Sequence, residues 1–302
     1  MITRQGVAGT LRAAYREVMP LQPAVLTMAK GGHQQLLHQV DGLSVGSVPP
    51  LVHCVISMGD RDLTRGRLPL GTDRWTTLVR PIPSDRRALP LAGARNLAAE
   101  MAVEAGAEVL VFLGGHVIPG SRTLERFAEA VSERPAGLPD GPVVYVGPLL
   151  HLPEPEEAVG YPFGRLDEVA LPAPGIDPPE PGRHLGEPSP ERFDGRAFAM
   201  SARDFRAAGG FCADYTGHGL EDADFAEKVT RAGGAFVHVG GATAYVQPVE
   251  PPDLQTELRV ALRHAGTWRS RWGGDPVEHP LYERLLGSGV LRRTESGGFV
   301  AG

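Results

Sequence analysis

Apolar positions in the first half of the chain come in short blocks. Ala24 to Met28, Leu51 to Ser57 and Glu108 to Leu113 are nearly continuous apolar runs. Each has the length of a strand buried on both faces, the signature of a parallel sheet covered on both sides. Trp75 to Val79 adds a further predicted strand. Leu97, Ala98, Met101, Ala102 and Ala105 fall at helical spacing, which predicts a helix over Ala92 to Ala105 with Gly106 as its stop. His33 to Val40 reads as a short helix, and Val7, Leu11, Tyr15 and Val18 read as one stripe of an N-terminal helix. Strands alternating with helices through short links predict an α/β fold with a mostly parallel sheet flanked by helices.

The pattern disappears between Leu149 and Phe193, which is dense in proline and acid. That stretch is too long for an ordinary connection, so it is a mobile functional loop, a structured insertion of irregular backbone, or an inter-domain linker. Periodicity returns at Ser201, whose hydroxyl and the acid at Asp204 form a helix-start signal. Phe205 and Ala208 then face inward, and Gly209-Gly210 end the helix. A helix over Glu221 to Ala232, a strand over Ala235 to Val239 and a last helix over Leu254 to Trp268 follow. The expected organisation is an N-terminal helical extension (1–22), an α/β domain (23–250) carrying the proline-rich insertion (151–193), and a C-terminal helical tail (251–302).

Composition narrows the picture modestly. The 302 residues permit one large α/β domain or two small ones. A net charge of −6 argues against nucleic acid as the partner. Cys54 and Cys212 are too few and too separated for a zinc module or a disulfide scaffold, which suggests a reducing, cytoplasmic setting. No apolar run approaches the roughly 20 residues of a membrane span, and the N-terminus lacks a signal-peptide core. A homodimer stays open.

Ligands of open α/β sheets bind outside the carboxyl ends of the strands. Three expected loops lie there: Ala29 to Gly32, Met58 to Asp62, and Gly114 to His116. Neither GxGxxG nor GxxxxGK[ST] occurs, so dinucleotide and P-loop readings lack their fingerprints. The strongest polar signal is Gly217-His218-Gly219-Leu220-Glu221-Asp222-Ala223-Asp224. Acids at a helix start favour the helix dipole, which accounts for one or two of them. The glycine-rich approach also lets a substrate reach the helix end, where a carboxylate can act as a base toward a hydroxyl.

Two stretches carry a resemblance. GGFCADYTGHGLEDADFAEKVTRAGG is similar to a segment of inverting glycosyltransferases of the GT-A fold, chiefly family 2 and the galactosyltransferase-like C-terminal module. ALPLAGARNLAAEMAVEAGAEVLVFLGGHVIPG resembles their segment that ends in an Asp-x-Asp motif. With the first two strands, the similarity covers most of Ala24 to Val246. It implies a nucleotide-sugar donor and a small-molecule or glycan acceptor. It implies Asp222 as catalytic base and Glu221 as a holder of acceptor or sugar hydroxyls. Ala29, Lys30, Asp60, Arg95, Gly114, Gly115 and His116 fall on the donor side, and His218 and Gly219 on the acceptor side.

The chain departs from that pattern where Gly114-Gly115-His116 aligns with Asp-x-Asp, which in these enzymes holds a divalent cation. Three readings follow. His116 ligates a metal, together with His238, imidazole suiting Mn, Zn or Fe better than Mg. Alternatively no metal binds, and Lys30, Arg95 or Arg80, helped by protonated His116, neutralise the diphosphate. Or the domain binds a nucleotide sugar and is catalytically silent. A nucleotidyltransferase is a further alternative, faintly supported by Lys30-Gly31-Gly32.

Overall fold

The apolar runs become the middle of a sheet. Pro23–Ala29 (β1), Val52–Met58 (β2), Thr76–Ile82 (β3) and Val109–Gly114 (β4) are parallel, in the order β3-β2-β1-β4. Both faces of β1 are covered, so every position in it is buried. Leu26 and Met28 join one core with Phe112, Phe198 and Phe225, while Val25 and Ala29 join the other with Leu36, Val40 and Phe127. This is the period of two that sends successive side chains to opposite faces. The structure, a computed structural model, describes residues 21–84, 89–155, 160–171, 179–186, 190, 193–250, 252–276, 279–295 and 297–302. The N-terminal helix expected over 1–22 lies outside these residues, apart from its last two positions.

The helices of the first half are His33–Ser44 (α1), the short Arg61–Thr64 (α2), Leu91–Glu104 (α3) and Thr123–Glu133 (α4). Ala98 and Ala102 of α3 pack on the first core, and Leu36 of α1 and Phe127 of α4 on the second. The small alanines let α3 lie close to the strands beneath it.

Beyond β4 the sheet continues through Val143–Val146 (β6), His184–Gly186 (β8), Ala197–Ser201 (β9) and Ala235–Val239 (β10), in the overall order β3-β2-β1-β4-β9-β6-β10-β8. The strand β9 is antiparallel to both β4 and β6, so the sheet is largely rather than wholly parallel. That reversal matters, because the residues entering β9 lie beside the carboxyl end of β4. Val117–Pro119 (β5), Leu149–His151 (β7) and Ala244–Val246 (β11) form a separate three-stranded sheet. Leu152, Tyr161 and Leu166 of the proline-rich stretch are buried under it against Ile118 and Tyr245. The described part of that stretch is therefore a structured insertion, and its β8 belongs to the main sheet.

Ala202–Ala207 (α5) starts at Ser201, whose Oγ accepts the Asp204 N–H at 2.9 Å as the sequence signal implied. Glu221–Arg231 (α6) runs into β10. Leu254–Trp272 (α7), Pro280–Gly287 (α8) and the hairpin of Leu291–Arg293 (β12) with Phe299–Ala301 (β13) close the chain. Leu258, Ala261, Tyr282 and Leu285 from this end share a third core with Tyr215 and Leu220. Among the described residues, no helix is long and apolar enough to cross a membrane.

Candidate active site

The carboxyl edge of the sheet gathers the loops after β1, β2 and β4, the entry to β9 and the start of α6. Asp222, in the first turn of α6, reaches the entry to β9. Arg95 of α3 donates from Nη1 to its Oδ1 at 2.6 Å, and the Gly195 N–H donates to Oδ2 at 3.0 Å. The guanidinium also donates to the Gly195 carbonyl at 3.3 Å and lies over the Phe211 ring at 4.7 Å. Arg95 and Asp222 are both buried. Burial raises the Asp222 pKa above its ordinary value; the Arg95 charge opposes that shift and the neighbouring Glu221 adds to it. Arg95, expected to face the nucleotide or diphosphate, pairs here with Asp222.

Gly195 cannot be another residue without cost. A Cβ there would stand 2.3 Å from Asp222 Oδ1 and 2.9 Å from Arg95 Nη2. The backbone passes so close to the carboxylate that only a residue without a side chain fits.

Glu221 is fully buried and turns back on its own approach loop. It accepts the Gly219 N–H at 2.6 Å and pairs with His218 Nδ1 at 2.8 Å. The Glu221 charge holds His218 protonated to about 9. Against the cost of burial, the His218 charge and its hydrogen bond bring the Glu221 pKa down to about 2. His218 itself is exposed, so a cation faces solvent at the loop before α6. From α7, His264 Nδ1 accepts the Leu220 N–H at 3.2 Å, and Arg263 donates to the Thr216 carbonyl at 2.6 Å. The C-terminal helix thus braces the loop that carries His218 and Gly219.

The third acid, Asp224, has a different duty. It is fully buried and receives Arg271 Nε at 2.6 Å and Trp272 Nε1 at 2.8 Å. Arg231 and Arg271 lie over the Trp272 ring, at 4.5 Å and 5.1 Å from its centre. Asp224 fastens the end of α7 to α6.

The Gly114-Gly115-His116 turn is held from inside. Gln39 of α1 donates to the Gly114 and Val117 carbonyls, both at 2.8 Å. Its own oxygen accepts from Thr27 at 2.8 Å, and Thr27 meets His53 Nε2 at 3.1 Å. Burial pushes His53 down to about 4, so it is neutral. The Gln247 N–H donates to the His116 carbonyl at 2.9 Å. Burial, then the Arg196 charge, push His116 down to about 4 as well. The free ring is therefore neutral at ordinary pH.

Asp60 joins two of the edge loops. Its Oδ2 accepts the Gly31 N–H and His33 Nε2, each at 2.8 Å, and its Oδ1 caps α2 at Asp62 and Leu63. Burial works against the charge, yet these hydrogen bonds hold the carboxyl below its ordinary pKa. Gly31 and Gly32 both have positive φ (61° and 57°), which suits the turn out of β1 to glycine. Ala29 is buried at the end of β1. Lys30 is exposed in this turn and donates to Ser84 at 3.2 Å. Arg80 stands in the edge strand β3, opposite Ile56.

The donor set does not fit a divalent cation. His238 pairs with Val146, Val146 with Phe198, and Phe198 with Phe112. Three strand spacings of about 4.8 Å, roughly 14 Å, thus separate His238 from β4. The expected His116–His238 pair is not assembled. Among the described residues, no group of three or more His, Cys, Asp or Glu is arranged to hold a metal. Asp194, whose charge reaches the His116 ring, is bidentate with Arg196, at 2.8 Å to Nε and 2.6 Å to Nη2.

Asp194, Gly195 and Arg196 are the site residues that sequence reasoning missed. They close an irregular, proline-rich stretch and carry no periodicity. Their only signal was an acid-glycine-base triplet directly before the short apolar run of β9.

Residues 187–250 match the family model described as the N-terminal domain of galactosyltransferase. No curated protein sequence matches the chain. Solved structures do match. A structure of GalNAc-T7 with UDP, GalNAc and Mn2+ superposes with a TM-score of 0.55 at 15% identity, over 89% of this chain and 55% of that one. This chain thus spans about half the length of that protein's chain. Residues 1–349 of TarS from S. aureus superpose at 0.54 and 12% identity, over 88% of this chain and 79% of that one. The same TarS segment in complex with UDP-GlcNAc gives 0.55 and 12%, over 89% and 80%. At these identities the likeness is one of fold, and the fold is that of GT-A glycosyltransferases.

Proposed function

We propose that this chain is an inverting glycosyltransferase of the family 2 kind, using a nucleotide-sugar donor. Asp222 takes the proton of an acceptor hydroxyl as that oxygen attacks the anomeric carbon of the sugar. The bond from that carbon to the nucleoside diphosphate breaks, and the diphosphate leaves with the electron pair. Arg95 and the Gly195 N–H fix the carboxylate so that it meets the hydroxyl without rearranging. Glu221, whose oxygens are already taken by Gly219 and His218, acts by shaping the acceptor loop, and His218 presents the polar contact. The ligands printed for the structural neighbours, UDP with GalNAc and UDP-GlcNAc, make a UDP-sugar the first donor to try.

The observation that carries the reading is one buried carboxylate at the carboxyl edge, raised in pKa by burial and oriented on two sides. The Asp222→Asn variant tests it. Transfer from a donor panel is expected to fall at least about 100-fold while nucleotide binding persists. Unchanged transfer rejects Asp222 as base. NMR of the product gives the anomer and so tests inversion. A wild-type protein that binds nucleotide but shows neither transfer nor donor hydrolysis is the silent module, the reading favoured by Gly114-Gly115.

A further inference from the structure

A diphosphate leaving group gathers negative charge that some group must meet. The side chains of the Gly114-Gly115-His116 turn supply no carboxylates to hold a cation. A guanidinium stands beside that turn. Because β9 runs against β4, the Arg196 backbone borders the strand end, and its carbonyl accepts the Gly114 N–H at 2.8 Å. Its side chain is 30% exposed. Asp194 takes Nε and Nη2, while Nη1 has no hydrogen bond among the described residues. Arg95, the other guanidinium of this edge, is buried and committed to Asp222.

Resting on the glycosyltransferase reading above, we propose that Arg196 meets the diphosphate of the nucleotide directly, in place of a divalent cation. Asp194 is its resting partner. A planar guanidinium presents parallel donors to phosphate oxygens, and a diphosphate offers more charge than one carboxylate, so it competes for the same fork. Binding of the nucleotide draws Arg196 part of the way off Asp194.

Calorimetry on the full chain with UDP, GDP, dTDP and uridine, in EDTA and again in Mn2+, tests this. For the wild type, affinity for the preferred diphosphate is expected to agree within about twofold between the two conditions. Arg196→Gln is expected to weaken that diphosphate at least about tenfold, with uridine affinity unchanged. Asp194→Asn removes the competing charge at nearly constant shape and is expected to tighten the diphosphate severalfold, a gain that a damaged fold does not produce. Loss of binding in EDTA, wild-type affinity in Arg196→Gln, or no tightening in Asp194→Asn each overturns the proposal while leaving the glycosyltransferase reading in place. If the wild type binds none of the diphosphates in either condition, the glycosyltransferase reading fails and this inference goes with it.

Discussion

Gly195 shows how narrow the tolerances of the site are. Adding one carbon at this position, as Gly195→Ala does, pushes a Cβ into the Asp222–Arg95 pair. The pair is buried and must separate or tilt, at a cost of about 1–3 kcal/mol. Transfer is expected to fall at least about tenfold, with a lower melting temperature, read by donor turnover and thermal unfolding together. His218 gives a second residue-scale expectation. Its pKa is raised to about 9 by Glu221, so the pair stabilises fully below the unfolded value near 6.5 and fades as pH rises through 9. The partner's pKa is lowered to about 2, so the contribution is also lost on acidifying from the ordinary carboxylate range toward that value. His218 is 68% exposed and solvent screens the pair. His218→Ala should therefore lower the melting temperature by about 1 °C near pH 6 and by nothing near pH 10. At this scale the sequence named Glu221, Asp222, His218 and His116, because acids at a helix start and a histidine at a strand end are local signals. It missed what those groups touch. Arg95 and Asp222 are 127 positions apart, and no spacing rule joins them.

Among the elements, β1, β2 and β4 were readable because burial on both faces writes an apolar run, whereas Val143–Val146 went unread although it is buried too. Ala197–Ser201 was not readable, since a short strand at the end of an irregular stretch offers neither length nor alternation. Thr123–Glu133 was missed too, although Leu124, Phe127, Ala128 and Ala130 line one face of it. The most consequential unread contact joins two helices. Asp224 of α6 is sealed from water and neutralised by Arg271 of α7, so the pair holds only while α7 is seated. Arg271→Ala strands a buried carboxylate and is expected to cost about 3 kcal/mol. Urea unfolding of that variant should show a lower midpoint with unchanged slope. Trp272→Phe, which removes one hydrogen bond and keeps the ion pair, should cost closer to about 1 kcal/mol.

The described residues form a main sheet with a core on each face, a small core under the three-stranded sheet and a further core at the chain's end. The expected boundary near residue 250 cuts through that last core. Tyr215 and Leu220 lie on one side of the cut, and Leu258, Ala261, Tyr282 and Leu285 on the other. A chain ending at residue 250 loses these partners, the brace from His264 and the partner of Asp224 together. It is expected to melt about 10 °C or more below the full chain, with dye binding to the uncovered apolar face, both measurable by fluorescence.

The chain of His53, Thr27 and Gln39 has a consequence for how such a protein can change over generations. All three are sealed in the interior, and they fasten the backbone of the β4 turn through its carbonyls. The side chains of residues 114–116 take no part in that fastening. A Cβ added at Gly114 would stand 3.3 Å from Val117 Cγ2 and one at Gly115 3.1 Å from the Met28 carbonyl, so a substitution there needs a small shift of a neighbour while breaking none of these hydrogen bonds. A lineage can therefore vary the side chains of this turn one substitution at a time, each step costing a local adjustment while the interior hydrogen bonds still hold the strand end.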